Sequence, residues 1–342
     1  MDLIHQLFQD NLDVVFFVYG LAFIVMGVAI LVQPRKGSRL RLAGILWLLA
    51  WFGLTHGTNE WLDMWVIIKG KNETIDLIRW FCLAISYIFF FEFGKSIFEL
   101  GVKNAECPMW QKNIAKILGW WVSPIIISFI TIAAAASADF WQTGSIWTRY
   151  LLGFPGGVLI GAGFFYYYKS EKPTLKIIID PFSVKKYFQM SSLSFFIYGI
   201  LGGLIVPSGD FFPSNWLNTE SFFAVVKIPV QVFRAVCAII SAYSVTKILT
   251  IFDWDMREVL QSTYNKLEML VEERTAELKA ANERLQLATM ERGHAEMAIQ
   301  KHLKELESFY QLAVGRELKM IELKKEMERL QAELEKYKGE QP

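Results

Sequence analysis

LQSTYNKLEMLVEERTAELKAANERLQLATMERGHAEMAIQKHLKELESFYQLAVGRELKMIELKKEMERLQAELEKY, residues 260–337, is the stretch whose reading decides how this chain is built. With Tyr264 at heptad position a, the a series runs Tyr264, Val271, Leu278, Leu285, Arg292, Ile299, Leu306, Ala313, Met320, Met327, Leu334. The d series runs Leu260, Leu267, Arg274, Ala281, Ala288, Ala295, His302, Phe309, Arg316, Leu323, Leu330, Tyr337. One register holds without a stutter. A strict seven-residue repeat keeps its stripe on one side only if helices wind left-handedly around a partner. The stretch has no proline, its glycines are Gly293 and Gly315, and its flanks are Glu, Lys, Arg and Gln, all good helix formers. From Trp254 to Tyr337 such a helix would be about 120 Å long.

A lone helix with that seam would leave too much apolar surface in water. The expectation is a parallel homo-oligomer held by Leu260, Leu267, Val271, Leu278, Leu285, Ile299, Leu306, Phe309, Met320, Leu323, Met327, Leu330 and Leu334. A dimer is favoured, because arginines at core positions can snorkel outward from a two-stranded coil; a tetramer is the alternative. The other arrangement open to the sequence is an antiparallel hairpin folding back at Gly293, where the seam is weakest (Ala288, Arg292, Ala295, His302).

The rest of the chain is too apolar for water. Of 342 residues 53% are hydrophobic and 15% aromatic, with a mean hydropathy of +0.30 despite the charged coil. The 35 Lys and Arg against 34 Asp and Glu give no pull toward nucleic acid. Cys82, Cys107 and Cys237 form no CxxC and no even set, so neither a disulfide framework nor a zinc site is indicated. Residues 1–11 read as an interfacial segment (Leu3, Ile4, Leu7, Phe8) and not a signal peptide, the start being acidic. Seven apolar segments of spanning length follow: Leu12–Val32, Leu42–Leu62, Ile75–Phe98, Ile114–Ala136, Trp147–Tyr168, Tyr187–Val206 and Phe222–Ile251. Gly153, Gly156, Gly157, Gly161 and Gly163 in the fifth and Gly199, Gly202 and Gly203 in the sixth suit close helix approach. Pro124, Pro155 and Pro229 predict kinks.

Arg35, Lys36, Arg39 and Arg41 follow the first segment, Lys95, Lys103, Lys112 and Lys116 the third, and Lys169, Lys172, Lys176, Lys185 and Lys186 the fifth. The opposite loops offer Lys69, Lys71 and Arg149. The positive-inside rule then sets the N-terminus outside and the coil in the cytoplasm. Trp61, Trp65, Trp141, Trp147 and Trp216 form an outer aromatic belt, with the Asp210–Ser221 loop against the outer surface. The expected organisation is all-α: residues 1–11 interfacial, 12–252 a bundle of seven transmembrane helices, 253–338 a cytoplasmic coiled coil continuing from the last helix, and 339–342 a tail. The expected location is a bacterial inner membrane, with membrane lipids as neighbours.

Polar residues inside the spans are the candidates for function. His56, Asn59, Glu60 and Asp63 stand at i, i+3, i+4 and i+7, on one helix face near the outer boundary. Arg79 lies at similar depth on the third span; Lys227 and the deeper Arg234 belong to the seventh. Two readings compete. The acids pair with the bases to satisfy buried charge, or the cluster forms a ligand, proton or ion site opening outward. A metal site from His56 and Glu60 would need a third ligand from elsewhere. Haem ligation is not indicated, since the only other membrane-region histidine is His5. Glu92, at the inner end of the third span, is a second candidate or a partner for Lys95. His302, at a d position, belongs to the coil core. No P-loop, GxSxG, HExxH or EF-hand loop is present, and no cofactor or catalysis is expected.

Glu272-Glu273-Arg274-Thr275-Ala276-Glu277-Leu278, followed by Ala280-Ala281-Asn282-Glu283-Arg284-Leu285-Gln286, resembles the signalling helix of bacterial sensor histidine kinases and diguanylate cyclases. The run from Leu312 to Lys324 is similar to a coiled segment of the same proteins. His56-Gly57-Thr58-Asn59-Glu60-Trp61-Leu62-Asp63, with Phe91-Glu92-Phe93-Gly94, resembles their N-terminal seven-span sensor module. The resemblance implies sensing, dimerisation and transmission through a helix to a cytoplasmic signalling protein. It does not extend to kinase activity, because no phosphoacceptor or ATP-binding segment follows the coil. The alternative expectation is an ion channel or transporter assembled by the coil, motivated by the buried charge.

Overall fold

The structure is a computed structural model that describes residues 8–33, 38, 40–104, 107–178 and 181–339. Residues 1–7 of the expected interfacial segment, Arg35, Lys36 and Arg39 of the first basic loop, and residues 340–342 of the tail lie outside the described residues. The described chain is helical: α1 (Leu12–Val32), a 3-10 turn (Arg41–Gly44), α2 (Leu46–Lys69), α3 (Glu73–Asn104), α4 (Met109–Ile117), α5 (Val122–Ala135), α6 (Phe140–Thr148), a π-helical turn (Arg149–Gly153), α7 (Phe154–Ile178), α8 (Pro181–Gly203), α9 (Thr219–Val226) and α10 (Val230–Gly339). It divides into two units, Met1–Ser262 and Thr263–Pro342.

In the first unit, α1 shows why these helices belong in a membrane. Phe16, Tyr19, Gly20, Phe23, Met26, Gly27 and Ile30 are buried at the three- and four-residue spacing of one helix face. The opposite face, Val14, Val18, Leu21, Val25, Val28 and Leu31, is equally apolar and exposed. A helix apolar all round suits a lipid surrounding. Length and composition mark α1, α3, the α6–α7 stretch and α10 as able to cross a membrane, and the bent pair α4–α5 as a fifth span if taken together. Two more of the expected segments, α2 and α8, are of spanning length, but the polar residues they carry dilute their apolar character. Several helices able to span a membrane support a membrane protein.

Between apolar helices in lipid, close packing does what the hydrophobic effect does in water. Helices α1 and α2 meet through glycines: a Cβ on Gly53 would lie 2.6 Å from the Phe23 carbonyl oxygen, and one on Gly57 2.6 Å from that of Gly20. At the α7–α8 crossing the backbones of Gly157 and Gly199 touch. Neighbours run α1–α2, α2–α3, α3–α7 and α7–α8. Paired hydroxyls, Ser191 to Ser244 at 2.7 Å and Ser194 to Ser241 at 2.8 Å, attach α10 to α8. The interior is filled by buried aromatics including Phe52, Phe90, Phe93, Phe164 and Phe195.

The breaks correct three expectations. The fourth segment bends by 63° between Ile117 and Val122, ahead of Pro124, not at it. Pro124 sits in the first turn of α5, where no intrahelical N–H is needed. Lys95 satisfies the break, donating to the Gly119 carbonyl (3.3 Å) and Ser123 Oγ (3.1 Å). Pro155 follows the π-helical turn instead of a kink; with no N–H to offer, it is accommodated by the widened turn before it. The seventh segment is not one helix. Chain direction changes between α9 and α10 at Lys227, in the left-handed region (φ 62°), and Pro229. Proline removes a helical donor and disfavours helix at Ile228 before it.

The second unit is the helical stretch of α10 from Thr263. It runs through Gly293 without a break, so the hairpin arrangement is not adopted. A Cβ would meet nothing within 4 Å at Gly293 or Gly315. Pairs one turn apart, Arg274–Glu277 and Arg292–Glu296, support the helix surface. The seam is uncovered in the chain by itself: Leu278 is 75% exposed and Phe309 71%.

Candidate functional site: a polar cavity lined by Glu60 and two arginines

A cavity of about 550 Å³ opens among the C-terminal half of α2, the start of α3, α6, the π-helical turn, the 207–220 connection and the start of α10. Its lining includes Asn59, Glu60, Asp63, Arg79, Arg149 and Arg234, with Phe16, Trp80 and Leu83 as apolar wall. Four of the eight candidates named from sequence share one stripe of α2. His56, Asn59 and Glu60 are buried, and Asp63 lies one turn nearer the mouth.

His56 is buried behind Glu60. Its Nδ1 is 3.0 Å from Ser86 Oγ, and Ser86 already donates its hydroxyl proton to the Leu83 carbonyl (2.7 Å). Ser86 therefore accepts, which places a proton on His56 Nδ1. On the other side Nε2 receives Tyr198 OH at 2.6 Å, and Tyr198 in turn receives Tyr19 OH at 2.7 Å. Glu60 Oε1 approaches Nε2 at 3.3 Å and accepts from Asn59 Nδ2 at 3.4 Å. Phe52 stacks on the imidazole (5.1 Å between centroids), with Phe23 and Tyr87 edge-on at 5.3 Å. The ring is fixed on all sides.

Arg79 forms its own network nearer the mouth. It donates through Nε to Asp63 (2.6 Å) and through Nη1 to Asp76 (2.7 Å). This is the acid-to-base pairing expected between the second and third spans.

The two remaining arginines behave differently. Arg149 donates to the Gly202 carbonyl (3.2 Å) and Tyr87 OH (3.4 Å), with its cation 5.8 Å from the Tyr87 ring centroid. Arg234 donates to the Leu201 carbonyl from Nε (3.0 Å) and Nη2 (2.8 Å), and to Ile205. Both guanidiniums thus cap the C-terminal end of α8, where helix dipoles concentrate roughly half a negative charge. Two full positive charges against about half a negative one leave a surplus. Neither arginine has a carboxylate within ion-pair distance among the described residues. The Arg149 Nε is buried without a hydrogen-bond partner, as is Trp80 Nε1. Both are donors, and both residues line the cavity.

Two candidates lie elsewhere. Lys227 is the exposed C-cap of α9 and does not line the cavity. Glu92 pairs with Lys95 at 2.7 Å and accepts from Ser123, bracing the α4–α5 break far from His56 in sequence and outside the cavity lining. Sequence reasoning missed Tyr19, Ser86, Tyr198 and the pocket role of Arg149. Tyr19 stands in the buried stripe of α1, and a single hydroxyl at a core-facing position of an otherwise apolar span was the available signal. Among the described residues no group of three or more His, Cys, Asp or Glu could hold a metal ion.

Comparisons of the chain with protein families, with curated proteins and with solved structures find no match.

Proposed function

We propose that this chain is a membrane receptor without catalytic activity of its own, which senses a stimulus at the Glu60–Arg234 cavity and passes it along α10 to a self-associating coil. The reading includes seven crossings, with α2, α4–α5 and α8 among them, the N-terminus outside and the coil in the cytoplasm of a bacterial cell. The carrying observation is that one helix supplies Gln231 and Arg234 to the cavity and continues unbroken through residues 260–337 with an uncovered heptad seam. A parallel dimer would cover that seam. Polar core positions at Arg274, Arg292, His302 and Arg316 would leave two coil packings close in energy, which is what a switch needs. The likeness of residues 272–286 to the signalling helices of sensor kinases and cyclases favours a partner protein as reader.

The test uses full-length chain in proteoliposomes with Cys82→Ser, Cys107→Ser and Cys237→Ala, and one cysteine at Leu278. Disulfide formation across the seam is followed in Glu60→Gln, in Arg234→Gln, and after inserting one to three or seven residues between Ile251 and Met256. Pocket substitutions are expected to change the cross-linking rate. Short insertions alter that response with phase, and seven residues, a full heptad, restore it. A rate indifferent to both sinks the receptor reading.

A channel or transporter is the second reading, motivated by the charge lining the cavity. Against a path through one chain stand His56, buried behind Glu60, and the buried Phe52, Phe90 and Phe195 that fill the bundle. Conductance across planar bilayers that disappears in Glu60→Gln would overturn the receptor.

A further inference from the structure

We infer that the cavity takes a small organic carboxylate, held by Arg149 and Arg234. The inference deepens the receptor reading and rests on it for what the binding achieves. Three observations carry it.

The first is charge. Of the titratable groups lining the cavity, Arg79 is engaged by Asp63 and Asp76, and Asp139 accepts from Gln142 N as the N-cap of α6. The whole lining carries more acids than bases, but its buried titratable groups are Glu60, Arg149 and Arg234; Asp63, Asp76, Asp139, Glu220, Lys71 and Arg79 are more exposed. Among the buried lining groups Glu60 stands against Arg149 and Arg234, so that part of the wall is net positive. A monoanion balances it.

The second is donor count. Arg149 Nε and Trp80 Nε1 are buried without a partner but closed off from the cavity, Trp80 Nε1 packing against Gly144, so neither counts as a donor to a ligand. Two lining guanidiniums, Arg149 and Arg234, have no carboxylate within ion-pair distance among the described residues, so what completes this wall is rich in acceptors. A guanidinium matches the two oxygens of a carboxylate in a planar fork. In Arg149 Nη1 holds Tyr87 and Gly202, and in Arg234 Nε and Nη2 hold Leu201 and Ile205, which leaves Arg149 Nη2 and Arg234 Nη1 for this.

The third is shape. About 550 Å³ is ample for a small organic acid, and Phe16, Trp80, Leu83 and Pro207 give its carbon skeleton an apolar wall. Glu60 and Asn59 stand at the floor, where Glu60 repels a second negative charge and Asn59 offers an amide.

The test is thermal unfolding of the full-length chain in detergent, titrated with sodium benzoate or acetate against benzamide or acetamide at equal ionic strength, with inorganic phosphate as a further arm. Benzoate or acetate is expected to raise the midpoint saturably and the amides are not. Titration to about 100 mM resolves even a millimolar Kd. Arg149→Gln and Arg234→Gln each weaken binding roughly tenfold or more, the usual loss for a hydrogen bond to a charged group. Arg149→Lys and Arg234→Lys keep the charge and recover part of it. Glu60→Gln keeps both arginines and is expected to keep acid binding. Equal effects of acid and amide, protection by phosphate alone, or affinity unchanged in both glutamine variants would overturn the inference. Benzoate binding that leaves seam cross-linking unchanged keeps the site and removes the receptor reading. Cross-linking that follows helix phase while no acid binds removes the site and keeps the receptor.

Discussion

His56 is held by hydrogen bonds whose directions form one chain, from Tyr19 through Tyr198 to Nε2 and from Nδ1 through Ser86 to a backbone carbonyl. The links are not equal. Tyr198→Phe removes the donor at 2.6 Å and leaves Nε2 and Tyr19 only their longer mutual contact at 3.3 Å, so a loss of about 1 kcal/mol is expected in unfolding measurements in detergent. Asp76→Asn is the contrast. Its partner Arg79 is 29% exposed and keeps Asp63, so the change is expected to stay within about 0.5 kcal/mol and to shrink further in salt. A loss at Asp76 as large as that at Tyr198 would mean the His56 network is not the rigid part of the site. The α2 side of this arrangement was legible, because the spacing of His56, Asn59, Glu60 and Asp63 is helical and local. Tyr19 and Tyr198 were not, being 37 and 142 residues from His56; only packing decides which hydroxyls an imidazole meets. Arg149 was legible as a charge and not as a cap of α8, since the carbonyls it serves belong to another helix.

At the scale of elements, the bundle depends on where backbones touch. Gly157→Ala would push a methyl into the backbone of Gly199, with no flexible side chain to move aside. The expected cost is about 1–3 kcal/mol or more, read as a lower unfolding midpoint. Gly293→Ala, with open space around its Cβ and a helical backbone, is expected to stabilise by about 1 kcal/mol. Equal effects at the two positions would contradict the close α7–α8 crossing. The first span, Leu12–Val32, was read to the residue because its apolar run is bounded on both sides by polar ones. The seventh was read too long. Hydropathy does not fall at Pro229, but the backbone cannot continue through it as helix, and the apolar Phe222–Val226 forms a separate short helix. Long-range glycine contacts were half legible: the clusters in α7 and α8 announced a crossing without naming the partners.

Considered as a whole molecule, the uncovered seam makes a geometric prediction. Single cysteines at Leu278 and Leu285, both a positions, are expected to cross-link in membranes, and one at Glu283, on the far side of the heptad, is not. Equal cross-linking at all three would leave no defined coil. Membrane character was legible from composition because helices apolar all round, such as α1, suit a lipid surrounding, whereas α2 and α8 carry polar residues that dilute the same signal. A last feature bears on how α10 can move. It is fastened near its start by Arg234 on the α8 carbonyls, midway by two pairs of serines, and near the end of the first unit by Asp253 and Asp255, which accept from Gln33 (2.6 Å) and Ser38 (2.6 Å). In mechanical terms it is a shaft in three bearings. An axial stroke of even one residue, about 1.5 Å, would strip all three at once. A small rolling or tilting of the shaft strains each bearing only slightly, so torque, and not thrust, is the motion that this set of fastenings transmits most cheaply.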